Sequence, residues 1–150
     1  MTLKSIREAS AFWDASALVP LCVQERRSAA ARTRFRQFSQ VVWWGSRVEV
    51  YSAACRLHRE KRISDADKQQ AVSRMQLLIA GWREILPDDE VRSLAFDSLE
   101  KYSLRAADAI QIAASLVWCD KRPSRRTFIC GDRRLASAAE SAGFTVLEVA

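Results

Sequence analysis

The feature that most constrains this chain is a series of very short apolar segments, each trailed by a helical pattern. Residues 10–14 (Ser-Ala-Phe-Trp-Asp), 40–44, 85–87, 127–130 and 144–149 are three to six residues long and mostly apolar throughout. A strand with one wet face alternates apolar and polar residues. A strand that is apolar throughout is covered on both sides, as in a parallel sheet between helices. Parallel neighbours need a helical crossover. Helical patterns over 15–24, 28–38, 46–60, 88–101, 104–119 and 132–142 provide them, with another opening at Ser64 and carrying Ala71, Met75, Leu78 and Trp82 at helical spacing. Gly143 stands where a helix end needs a residue free to take positive φ. The alternation predicts an α/β fold.

At 150 residues, with neither internal repeat nor linker, the chain reads as a single domain over 1–150, residues 1–9 forming an N-terminal extension before the first strand. Its 49% apolar residues suffice for a core, and only 4 Gly and 3 Pro exclude collagen-like, low-complexity and disordered chains. No apolar run approaches the ~20 residues of a membrane span, and the polar start is unlike a signal peptide. Cys22, Cys55, Cys119 and Cys130 form no C-x-x-C pair, so the expectation is buried free thiols in a reducing cytoplasm. With one histidine, His58, an H-E-x-x-H metal site is excluded.

The net charge is +6, and arginine dominates it, 19 Arg against 5 Lys. Arginine's planar fork grips phosphates bidentately, so the balance points to a polyanionic partner or, equally, to a solvated arginine-rich surface.

In parallel sheets ligands bind beyond the carboxyl ends of the strands. Four carboxylates fall at such places. Asp14 closes the first strand, and Asp132 follows the fourth across Gly131. Glu49 lies in the first turn of the helix after the second strand, and Asp108 lies inside the most apolar helix. Each also has a plain structural reading. Asp14 and Asp132 suit N-caps. Ser46-Arg47-Val48-Glu49 matches a capping box. Asp108 shares a helical face with Gln111 and Ser115. Asp108 is the hardest to read as structural, because its neighbours are Ala106, Ala107, Ala109, Ile110, Ile112 and Ala113 and a buried carboxylate needs a partner. Converging carboxylates repel one another unless a cation is present. Oxygen ligands without His or Cys favour Mg²⁺ or Mn²⁺, whose chemistry suits phosphodiester hydrolysis.

Four blocks carry a resemblance. They are 12–19 (Phe-Trp-Asp-Ala-Ser-Ala-Leu-Val), 43–49 (Trp-Trp-Gly-Ser-Arg-Val-Glu) with Ser52-Ala53, 104–113 (Leu-Arg-Ala-Ala-Asp-Ala-Ile-Gln-Ile-Ala), and 128–135 (Phe-Ile-Cys-Gly-Asp-Arg-Arg-Leu) with Ala138, Ala139 and Gly143. In this order they resemble the PIN-domain ribonucleases, in particular VapC-type toxins of bacterial toxin–antitoxin pairs. The resemblance spans nearly all of 12–149. One departure is Cys130, where many relatives carry Ser or Thr.

The resemblance implies a three-layer α/β/α sandwich with a short central parallel sheet. It implies a Mg²⁺- or Mn²⁺-dependent endoribonuclease, hydrolysing RNA with a carboxylate-held ion and an activated water. Asp14, Glu49, Asp108 and Asp132 match the family's catalytic and metal positions, and Ser16 a hydroxyl kept beside the first Asp. The implied partners are an RNA substrate, a cognate antitoxin and a second copy of the chain in a homodimer. Arg133, Arg134, Arg125 and Arg126 are candidates for holding RNA phosphates. A non-catalytic PIN-like module binding RNA or protein is the alternative, disfavoured because all four acids are present. A phosphorylation receiver or a haloacid-dehalogenase-like phosphotransferase also places acids at strand ends. The first needs a Lys near the end, and none follows Lys121; the second wants D-x-D, and here the pair is Asp14-Ala15-Ser16.

Overall fold

A computed structural model describes residues 9–150; residues 1–8, nearly all of the expected extension, lie outside the described residues. Five strands, β1 (Ala9–Trp13), β2 (Phe38–Trp43), β3 (Arg83–Ile85), β4 (Thr127–Cys130) and β5 (Thr145–Glu148), form one sheet in the order β3-β2-β1-β4-β5. Every pairing is parallel. Seven helices connect them: α1 (Ala15–Cys22), α2 (Ser28–Gln37), α3 (Ser46–Arg59), α4 (Asp65–Ile79), α5 (Asp89–Lys101), α6 (Ala106–Trp118) and α7 (Arg133–Ala142). Strands and helices fall within a few residues of the positions expected from the sequence.

The strand order dictates the layers. From β1 the chain steps to β2 and β3 in one direction, and from β4 to β5 in the other. Crossovers in parallel sheets are right-handed, so opposite steps place their helices on opposite faces. Two cores result. On one face Ala11, Trp13, Val42 and Ile129 pack with Ala17 and Leu18 of α1, Ala31 of α2, Val50 of α3 and Ala71 of α4. On the other, Phe12, Val41 and Phe128 pack with Ala95 of α5, Ile112 of α6 and Leu135 of α7. The period-two alternation of the strands serves both cores, which is why they read as apolar throughout. The architecture is a three-layer α/β/α sandwich.

Local signals place the helices. Ser64 and Asp67 close a capping box on α4, and Asp88 caps α5 by accepting from Val91 N–H at 2.9 Å. Gly143 ends α7 at φ 113, in the left-handed region where a side chain is strained. Pro20 is accommodated within the single short helix α1. All four cysteines are free, three of them buried. No described helix is long and apolar enough to cross a membrane.

Candidate active site

The strand order reverses between β1 and β4, the switch point beside which parallel sheets place ligands, beyond the carboxyl ends of the strands. Each of the four acids singled out in the sequence occupies the N-cap or first turn of a helix: Asp14 on α1, Glu49 on α3, Asp108 on α6, Asp132 on α7. The positive ends of four helix dipoles therefore accompany the four carboxylates.

Asp14 and Asp132 are both built on backbone. Asp14 is 4% exposed. Its Oδ2 accepts from Ser16 N–H at 3.0 Å and from the Ser16 hydroxyl. That hydroxyl in turn accepts from Gly131 N–H at 2.8 Å. The carbonyl of Gly131 accepts from Arg27 Nη1 at 2.6 Å. The peptide joining β4 to Asp132 is thus clamped on one side by Ser16 and on the other by Arg27. A Cβ at position 131 would stand 2.6 Å from Arg27 Nη1 and 2.9 Å from the Ser16 carbonyl oxygen, so only glycine fits. Asp132, exposed, caps α7 by accepting from Leu135 N–H at 2.9 Å. The Cys130 Sγ lies 3.7 Å from the Asp132 carbonyl oxygen, a weak thiol hydrogen bond beside the acid.

Glu49 and Asp108 are held differently. The capping box expected at Ser46–Glu49 does not form. Gly45 is the N-cap of α3, without a side-chain cap bond, and Ser46 lies inside the helix with its buried hydroxyl unpartnered among the described residues. The local pattern lost because Glu49 is drawn elsewhere: its Oε1 accepts from Gln111 Nε2 at 2.8 Å, across 62 positions of sequence. Asp108, half-buried, makes no side-chain hydrogen bond among the described residues.

Electrostatics ties the four together. Burial pushes the Asp14 carboxyl up to about 6, opposed by its bonds from Ser16 and reinforced by the charge of Asp108. Burial, then the charge of Asp14, pushes Glu49 up to about 7, with Gln111 opposing and Asp108 adding. Asp108 is raised by burial and by the charge of Asp132, with Arg134 and Arg105 opposing. Among the described residues none of these four acids has a Lys or Arg within ion-pair distance, whereas Glu25, Glu60, Glu84, Asp89, Glu90 and Glu148 all do.

All four groups are hard oxygen donors, two are held out of water, and the negative charge accumulated among them is not matched by ion pairs. No three such side chains among the described residues already stand together as a ready metal cage. The set therefore suits a small hard ion that keeps part of its water shell.

Of the arginines considered for phosphate, Arg133 pairs with Glu148 at 2.9 Å and Arg126 lies over the Trp118 ring at 5.4 Å. Arg134 is close enough to favour the charged form of Asp108. Arg125 stands exposed at φ 63. His58 pairs with Asp65, away from the acids. Trp43 packs against the core and Trp44 is half-exposed.

Three residues of the site carry little or no local signal in the sequence. Arg27 had no visible signal, because its partner is 104 positions away. For Gly131 the available cue is a glycine between a buried strand and an Asp, a sign of close backbone approach. Gln111 was read as part of a polar stripe; a lone glutamine inside the Ala/Ile run of α6 was the available cue.

No family model and no curated protein matches the chain. Solved structures do. A chain of a toxin–antitoxin complex from Klebsiella pneumoniae matches with TM-score 0.58 and 18% identity, over 85% of this chain and 91% of that one. The protein PAE2754 from Pyrobaculum aerophilum matches with TM-score 0.60 and 17% identity, over 94% of this chain and 90% of that one. At such identities the likeness is one of fold.

Proposed function

We propose that this chain is a metal-dependent endoribonuclease of the PIN-like type and the toxin of a toxin–antitoxin pair. One observation carries the reading. Four carboxylates at helix N-termini lie near enough to raise one another pairwise by charge, none of them ion-paired among the described residues, with Asp14 and Glu49 pushed up to about 6 and 7. A cluster that unfavourable in the free protein implies a cationic ligand. The structural likeness to a chain of a toxin–antitoxin complex supports the toxin role.

Asp14, Glu49 and Asp108 would hold Mg²⁺ or Mn²⁺, directly or through water, and Asp132 would complete the acidic ring. When bound, the ion supplies Lewis-acid polarisation of a phosphodiester and acidifies a water for attack. Ser16 fixes the Asp14 carboxylate by donating to Oδ2. Gly131 and Arg27 set where Asp132 leaves the sheet. Arg134, beside Asp108, is the arginine best placed to receive a substrate phosphate, since Arg133 and Arg126 are otherwise engaged. Metal-activated hydrolysis needs no 2′-hydroxyl, so preference for RNA rests on the shape of the site.

A cognate antitoxin and a second copy of the chain are the proposed protein partners, in a cytoplasmic setting. An apolar groove of about 410 Å³ between α5 and α6, lined by Trp43, Val91, Phe96, Leu99 and Ile110, supports a protein partner. Phe96 is 62% exposed there, the kind of patch that marks an interface.

The test is RNA cleavage by wild type and Asp14→Asn in Mg²⁺, Mn²⁺ and EDTA. Cleavage confined to wild type with metal is the expected result. Cleavage that survives both the substitution and EDTA would sink the reading. RNA binding without cleavage under every condition would favour a non-catalytic binding module. Sedimentation with and without the product of a neighbouring small gene checks the partners.

A further inference from the structure

Gln111 is fully buried on the apolar helix α6. Among the described residues its Oε1 has no hydrogen-bond partner, so this side chain carries a desolvation cost that a leucine or methionine would not. Its other end makes one bond, from Nε2 to Glu49 Oε1 at 2.8 Å. No other hydrogen bond reaches the Glu49 side chain among the described residues, whereas Asp14 and Asp132 each accept a backbone N–H. Glu49 stands on three flexible torsions in the first turn of α3, with nothing from its own helix to orient it.

We propose that Gln111 is a positioning residue, whose amide pins Glu49 Oε1 and thereby turns the remaining carboxylate oxygen toward the cation site shared with Asp14 and Asp108. Three features support this. Gln111 lies three residues after Asp108, so the helix that carries one acid orients another. An N–H donor strengthens when its acceptor is ionised, the form a cation needs. The bond bridges α3 and α6, which pack against opposite cores, so it fixes the spacing of acids that no backbone bond relates. This inference rests on the metal-site reading above. Partners that orient metal-holding carboxylates typically change metal affinity by 10–100-fold when removed.

The experiment is Mn²⁺ binding by calorimetry, at one fixed pH above the value of about 7 to which Glu49 is pushed. It compares wild type, Gln111→Met, Glu49→Gln and the double variant. Methionine keeps the length of the side chain and removes both polar ends. The expected result is about 10-fold weaker binding in Gln111→Met, with a metal-free melting temperature equal to or above that of wild type. In the Glu49→Gln background the same change should add nothing, because its route is through Glu49. Wild-type affinity in Gln111→Met, or losses that multiply in the double variant, would overturn the inference while leaving the metal site intact. Wild type that binds no Mn²⁺, or Glu49→Gln that binds it unchanged, would overturn the metal site and this inference with it. If Gln111→Met does not fold, Gln111→Asn carries the same test, since the shorter amide cannot span to Glu49.

Discussion

The acidic site has two halves built by different means. In the strand half, Asp14 and Asp132 are helix caps, each accepting a backbone N–H, and the Ser16–Gly131–Arg27 clamp ties one to the other. In the helix half, among the described residues, Glu49 and Asp108 receive nothing from backbone through their side chains, and a single side-chain bond from Gln111 orients Glu49. The strand half is rigid because the chain itself makes it. The helix half is adjustable because two packed helices and one amide define it. A cation gathered between them would meet one fixed wall and one tunable wall.

The largest expected effect removes the distinction. Asp14→Asn and Glu49→Gln should each lower metal-dependent RNA cleavage by about 10³-fold, several kcal/mol of lost transition-state stabilisation. An effect confined to one of the two would show that only one half serves the chemistry.

The next separates the halves by their stored charge. Both carboxyls sit above their ordinary values of 3.8 and 4.5, at about 6 and 7. A raised carboxyl contributes full stability below its unfolded value and loses it as pH rises through its folded value. Metal-free protein should therefore lose stability between about pH 4 and pH 7, first from Asp14 and then from Glu49, and Mn²⁺ should restore it. For buried Asp14 the loss is about 3 kcal/mol. Asparagine still caps a helix, so Asp14→Asn should melt higher than wild type at pH 8 in EDTA. Melting curves that ignore both pH and Mn²⁺ would break the electrostatic account.

Gly131→Ala probes the rigid wall alone. Its Cβ would press on Arg27 and on the Ser16 backbone, at a cost of about 2 kcal/mol, or roughly 4–8 °C in thermal melting. Ser46→Ala, on the adjustable wall, should be the mildest. A capping serine would cost about 1 kcal/mol to remove, but this hydroxyl is buried and unpartnered among the described residues, so the melting temperature should hold or rise slightly.

Much of this was legible in the sequence, and unevenly so. Asp14 and Asp132 announced themselves because a strand end followed by a helix start is a local event, visible in adjacent residues. Thr127–Cys130 was readable to the residue for the same reason. Ser46–Glu49 also looked local, matching a capping box letter for letter, yet the structure gives the cap to Gly45 and sends Glu49 across the sheet edge to α6. Propensity for a cap is worth about a kilocalorie per mole, and a buried glutamine seeking a partner outweighs it.

By itself, then, the sequence determined the alternation of apolar strands and helices, hence the parallel sheet, its two covered faces and the strand ends where acids would gather. Those follow from periodicity and chain connectivity, which are properties of neighbours. Only the tertiary structure decided which side chains support the acids. Arg27 and Gly131 are 104 positions apart, and Glu49 and Gln111 are 62 apart. Packing of the sheet against its two helical layers brings them within hydrogen-bond reach, and no local pattern records that distance.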